Sequence, residues 1–238
     1  MRNLVIDIGN TRIKSALFDG ENLLEESSFE NLEVGLKYWK NLQFDFVLVS
    51  SVKQQKEELD QILPFGFLFL DSKTTSPVTN GYASPESLGL DRLAAAVGAW
   101  KLAGEGPVMA IDLGTCITYE LVDPNGVYLG GAISPGVQMR AKAMHQFTAK
   151  LPLLEKIEIA PSAWGDHTKA CMQAGIFHGV KGEIEEFIEA YSLKFPEIKV
   201  FICGGDAQSF ESIAKDHIFV VPNLVLYGLN AILNHNVE

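Results

Sequence analysis

Apolar residues run almost unbroken over positions 3–8 (NLVIDI) and then alternate with polar ones over 12–18 (RIKSALF), a pattern that predicts two strands joined by a short polar loop. The Asp19-Gly20 turn signal leads to a third strand over 22–29. Helical spacing follows over 32–42, a strand over 44–50, a helix over 54–63 and another strand over 65–70. Together these predict a mixed sheet covered by helices. The stretch 71–90, rich in Ser, Thr, Pro and Gly, is a long loop of the kind that commonly carries function, and the helix DRLAAAVGAWKLAG comes directly after it.

The pattern then repeats. Strands are predicted over 108–112, 116–123 and 127–133, with a turn at Asp123-Pro124-Asn125-Gly126, and the break Ser134-Pro135-Gly136 leads into a helix. Ile176, Val180, Ile184, Phe187, Ile188 and Tyr191 recur at helical spacing in a long amphipathic helix. A strand over 199–203 runs into Gly204-Gly205-Asp206, and a short strand over 218–221 precedes Pro222 and an apolar helix. MRNLVIDIGNTRIKSALFDG and PVMAIDLGTCITYELVDPNG share a plan: apolar run, Asp, apolar residue, Gly, then a second alternating strand. Asp7 and Asp112 stand 112 − 7 = 105 residues apart. This spacing predicts an α/β fold of two duplicated units, 1–105 and 106–238, facing each other across a cleft that holds the phosphates of a nucleotide.

Composition narrows the function. At 238 residues, 47% hydrophobic and 21% charged, the chain can bury a large core. A formal net charge of −11 argues against broad nucleic-acid binding, which depends on a basic surface. Cys116, Cys171 and Cys203 are odd in number and widely spaced, so neither a disulfide framework nor a zinc site is expected. With no signal-peptide pattern and no run long enough to cross a bilayer, a cytoplasmic protein free of membranes is expected.

Several residues stand out chemically. An ionised Asp7 or Asp112 in an apolar strand is costly unless it is paired or meets a cation, although an Asp at a strand end also caps turns. Gly9 and Gly114 let a ligand approach the backbone, and Asn10, Thr11 and Thr115 offer donors to phosphate oxygens. Lys14 supplies a point charge near a phosphate or is a solvated strand lysine. Asp91 begins a helix after Gly89; it is a simple cap, or a general base kept ionised by the helix dipole and Arg92. Gly204 and Gly205 are a strand-to-helix turn or a flat seat for an adenosine. Neither GxxxxGK[ST] nor GxGxxG occurs, which removes the P-loop and the usual dinucleotide fingerprint, and the five histidines form no metal-binding spacing.

Taken in order, DIGNTRIK, GLDR, IDLGTCIT and GGDA resemble the phosphate, substrate and adenosine motifs of the actin, hexokinase and Hsp70 superfamily. More narrowly, the whole chain resembles type III pantothenate kinase, the bacterial enzyme that phosphorylates pantothenate at the first step of coenzyme A synthesis. The resemblance implies ribonuclease H-like subdomains and an ATP motif of Asp7, Ile8, Gly9, Asn10, Thr11, Arg12, Ile13 and Lys14, with Asp7 holding Mg²⁺ through water. It implies further ATP contacts at Gly114, Thr115, Gly204 and Gly205, and pantothenate contacts at Tyr82, Gly89, Leu90, Asp91, Arg92 and Thr168. Asp91 is the implied proton acceptor, Asp112 the implied ligand of K⁺ or NH₄⁺, and a homodimer the implied assembly. Another small-molecule kinase of the superfamily, or a regulatory relative, is the alternative; an actin-like filament would need larger inserted subdomains.

Overall fold

The structure, a computed structural model, describes residues 1–157, 159, 162–215 and 217–237. Strand β1 (Arg2–Ile8) pairs antiparallel with β2 (Ile13–Asp19), which pairs with β3 (Asn22–Phe29). On its other side β1 runs parallel to β4 (Phe46–Ser51), whose outer neighbour is the short β5 (Leu68–Phe69). Helices α1 (Leu32–Trp39) and α2 (Lys56–Ile62) cover one face, where Leu4, Ile6 and Ile8 pack with Trp39 and Leu59. Asn31 starts α1 by accepting the Val34 N–H at 3.1 Å.

The second sheet repeats this plan. Strands β7 (Val108–Leu113), β8 (Cys116–Val122) and β9 (Val127–Pro135) form the same antiparallel meander, and β10 (Lys199–Cys203) lies parallel to β7 as β4 does to β1. Strand β11 (Ile218–Val220) extends the sheet beyond β10. Helices α4 (Val137–Gln146) and α5 (Thr168–Lys194) cover one face through Met109, Ile111 and Tyr119.

The remaining two helices form a layer between the sheets. Helix α3 (Leu90–Ala103) packs on β7, β8 and β10, while α6 (Leu224–Val237) packs on β1, β2 and β4. Their backbones touch where side chains are missing: a Cβ on Gly98 would run into the Leu224 carbonyl, and one on Gly228 into the Ala94 carbonyl. Buried all round from Arg92 to Ala99, α3 has no solvent face there for a polar stripe, which explains its Ala-rich sequence.

Some elements differ from expectation. The strand expected over 65–70 shrinks to Leu68–Phe69, because Phe65 and Phe67 pack sideways on the first core, Phe65 edge-on to Phe44 at 5.2 Å. The expected helices 32–42 and 54–63 shorten to Leu32–Trp39 and Lys56–Ile62. The loop 71–90 contributes β6 (Thr79–Asn80), which pairs with β9 and carries part of the first half into the second sheet. Among the described residues no helix is long and apolar enough to cross a membrane.

Candidate active site

Asp7 and Asp112 occupy the same place in the two sheets, each the last residue but one of its strand. Side chains alternate between the faces of a strand, so Asp7 shares the face of Val5, and Asp112 that of Val108 and Ala110. All three apolar residues belong to the layer between the sheets. The carboxylates therefore face one space above α3 and α6. Lys14 lies opposite Asp7 in the β1–β2 register, on the face of Ala16 and Phe18, and points the same way.

Burial pushes the Asp7 carboxyl up to about 7; Asp91 and Asp112 add to the push, while Lys14 and the Ser50 hydroxyl oppose it. Burial likewise raises Asp112 to about 6, opposed by Lys14 and reinforced by Asp91 and Glu120. Asp7, Lys14, Asp91 and Asp112 are thus one electrostatic unit, with more negative than positive charge.

The loops beyond the two aspartates are closed alike. Gly9 N–H bonds the Arg12 carbonyl and Gly114 N–H the Cys116 carbonyl, both at 3.1 Å. Asn10, Thr11, Arg12 and Thr115 are exposed on these loops. Ile8 and Ile13, by contrast, bury their side chains in the first core, so only their backbone is available to a nucleotide. Gly204, with φ +96°, sits where a Cβ would strike Asp112 Oδ1 and the Leu113 backbone; Gly205 beside it is exposed, with open space around its Cα. Gly136 closes on the second loop, donating to the Thr115 carbonyl at 3.1 Å as α4 begins. Lys53 was not singled out from sequence; its Nζ reaches the Asn10 carbonyl at 2.5 Å from the far end of β4.

Asp91 is exposed in the first turn of α3, with Gly89 directly beneath its carboxylate. The expected partnership of the Arg92 guanidinium with Asp91 does not form: Nε and Nη2 donate to Glu120 at 2.7 and 2.9 Å, and only the Arg92 backbone N–H bonds Asp91, at 2.9 Å. Glu120 is wholly buried and also accepts the Tyr128 hydroxyl at 2.5 Å. Tyr82 leans on this group, its ring centroid 5.8 Å from Arg92 Cζ and 6.0 Å from that of Tyr128. Leu90, the first residue of α3, packs on the same layer. The structure thus gathers Tyr82, Gly89, Leu90, Asp91 and Arg92 on one side of the second sheet. Thr168, exposed at the start of α5, lies on the opposite side of that sheet.

The sequence model of type III pantothenate kinase matches residues 3–190. The chain belongs to the type III pantothenate kinase family. It is 44% identical to the type III pantothenate kinase of Bacteroides fragilis strain YCH46, with 98% of each chain covered. To that of Cytophaga hutchinsonii it is 41% identical, over 99% of this chain and all of the other. Among solved structures it resembles the ROK hexokinase of Thermus thermophilus, with a TM-score of 0.55, 13% identity and full coverage of both chains. It also resembles the ADPNP-bound activator of the 2-hydroxyisocaproyl-CoA dehydratase of Clostridium difficile, with a TM-score of 0.56, 14% identity and coverage of 98% and 94%. These likenesses place the family's duplicated sheets in the hexokinase-type ATPase fold.

Proposed function

We propose that this chain transfers the γ-phosphoryl group of ATP to the hydroxyl of pantothenate, giving 4′-phosphopantothenate at the first step of coenzyme A synthesis in the cytoplasm. The observation that carries the reading, alongside family membership, is the convergence of Asp7, Asp91, Asp112 and Lys14 where the two repeated units, 1–105 and 106–238, face each other. Phosphoryl transfer asks little covalent chemistry of a protein; it needs alignment and neutralised charge.

In this reading the backbone of residues 8–14, the loop at Gly114 and Thr115, and the open space at Gly205 receive ATP. Asp91 takes the proton of the pantothenate hydroxyl as its oxygen bonds to the γ-phosphorus and the bond to ADP breaks. Tyr82, Gly89, Leu90 and Arg92 surround the acceptor. The donor set suits cations: desolvation raises both carboxylates, and Lys14 alone supplies too little positive charge to offset it. Asp7 would hold Mg²⁺ through water and Asp112 K⁺ or NH₄⁺, and these ions supply the charge neutralisation that phosphoryl transfer requires. Because Thr168 stands across the second sheet from Tyr82 and Asp91, a homodimer, in which a second copy supplies Thr168, accounts for its substrate role.

The test mixes the protein with pantothenate, ATP, Mg²⁺ and K⁺ and looks for 4′-phosphopantothenate by mass spectrometry, with a Na⁺-only control. Product that depends on K⁺ supports the acceptor and the monovalent cation together. No product, from folded protein that still binds ATP, overturns the acceptor and leaves another substrate or a regulatory role.

A further inference from the structure

We propose that Glu120, braced by Tyr128, is a positioning residue that fixes the Arg92 guanidinium as the receptor for the anionic end of the acceptor. The inference rests on the pantothenate reading above and extends it to residues that do not touch the substrate.

Glu120 is a charged residue in the middle of an apolar strand, with no exposed surface. It faces the layer between the sheets, as does its strand neighbour Val122. A buried ion pair is weak grounds for stability, since removing both charges from water costs about as much as their attraction returns. Apolar residues would fill this place at least as well. What the pair does provide is geometry. Two parallel bonds to one carboxylate set the plane and rotation of a guanidinium, which a single bond does not. Tyr128 on the adjacent strand fixes the carboxylate in turn through Oε2. Three guanidinium hydrogens stay unused by Glu120, two on Nη1 and one on Nη2. Their carrier stands one residue after Asp91, beside the Tyr82 ring, which itself rests on Gly130: a Cβ there would lie 3.1 Å from the ring. Pantothenate carries a carboxylate at the end remote from its phosphorylated hydroxyl. The long Arg92 side chain carries its planar cation away from the helix start that holds Asp91, to a fixed orientation beside Tyr82, which suits a group at the far end of the acceptor from the reacting hydroxyl.

The experiment compares wild type with Arg92→Ala, Glu120→Gln and Tyr128→Phe, measuring kcat, the KM of each substrate and the thermal midpoint. Glu120→Gln is expected to raise the KM for pantothenate about tenfold or more while the KM for ATP holds and kcat changes less than about threefold. Tyr128→Phe keeps the ion pair and is expected to raise the same KM by about two- to fivefold, so it answers the question even if Glu120→Gln does not fold. As a competitive inhibitor, the uncharged alcohol analogue of pantothenate should bind wild type and both variants alike, because the lost interaction is with the carboxylate. A folded Glu120→Gln or Tyr128→Phe enzyme with unchanged KM for pantothenate, when Arg92→Ala raises it, overturns the inference alone. Equal weakening toward acid and alcohol also overturns it, leaving a structural role. Wild type that turns over pantothenate, with a KM unaltered by Arg92→Ala, overturns the Arg92 assignment and with it the inference; wild type that fails to phosphorylate pantothenate overturns the acceptor reading itself.

Discussion

Replacing Asp7 by Asn should stabilise the protein in the absence of ligands while destroying its function, and the two effects can be separated by pH. In the fold, burial pushes the Asp7 carboxyl up to about 7, against an ordinary value of 3.8. The folded state therefore holds this proton more tightly than the unfolded chain. The associated stability is complete below the unfolded value and is lost as pH rises through the folded one. Well above pH 7 the difference corresponds to about 4 kcal/mol carried against folding by one carboxylate, at 1.36 kcal/mol per pH unit. That is a ceiling, because desolvation is the largest cause of the shift and the surroundings of a charged carboxylate relax and admit water. For a chain of this size each kcal/mol moves the melting temperature by about 2–4 °C. Melting followed by circular dichroism, without nucleotide or divalent ions, should show the variant several degrees above wild type at pH 8. The gap should shrink steadily toward pH 4. If the variant melts at or below wild type at pH 8, or if the gap ignores pH, ionisation of Asp7 is not the burden described here.

Three further outcomes are expected. Asp91→Asn should reduce turnover by about 10²-fold or more with melting temperature and ATP binding intact, as steady-state kinetics and calorimetry would show; an active, well-folded variant removes Asp91 as proton acceptor. Lys14 lowers both Asp7 and Asp112, so Lys14→Gln should let both rise and shift the acid limb of the pH–activity profile to higher pH; a limb that stays put breaks the link between these groups and activity. Gly204→Ala meets a positive φ and a collision with Asp112 and the Leu113 backbone, and should cost about 1–3 kcal/mol in denaturant unfolding together with weaker ATP binding; wild-type behaviour in both assays contradicts the close packing at that turn.

The repeated strand–Asp–Gly pattern was readable because it is local. A strand's two-residue period decides which face a side chain takes, so the placement of Asp7 and Asp112 on matching strands follows from their position in LVIDI and MAIDL. Glu120 was not singled out from the sequence, although its place as a lone carboxylate in the apolar run ITYELV is the signal that could have flagged it. Its partner was not legible: Arg92 lies 28 residues away and meets it only once α3 has packed on β8. For the same reason Arg92 was expected to support its neighbour Asp91 and instead serves a distant strand. β6 escaped notice because Thr79 and Asn80 have no apolar alternation; their pairing comes from the β9 edge they meet.

The helix layer between the sheets also constrains how the chain comes together during synthesis. β1 emerges first, yet the face it turns toward the second sheet is covered by α6, and Asn3 hydrogen-bonds Asn230, 227 residues further along. A nascent chain can pair β1, β2 and β4 early, but Val5, Phe18 and Leu48 remain without their shared layer until α6 has been translated. Closure over so long a span is slow and leaves apolar surface uncovered meanwhile. A ribosome carrying this chain without its α6 therefore holds a half-covered sheet, an object for a chaperone rather than a finished domain.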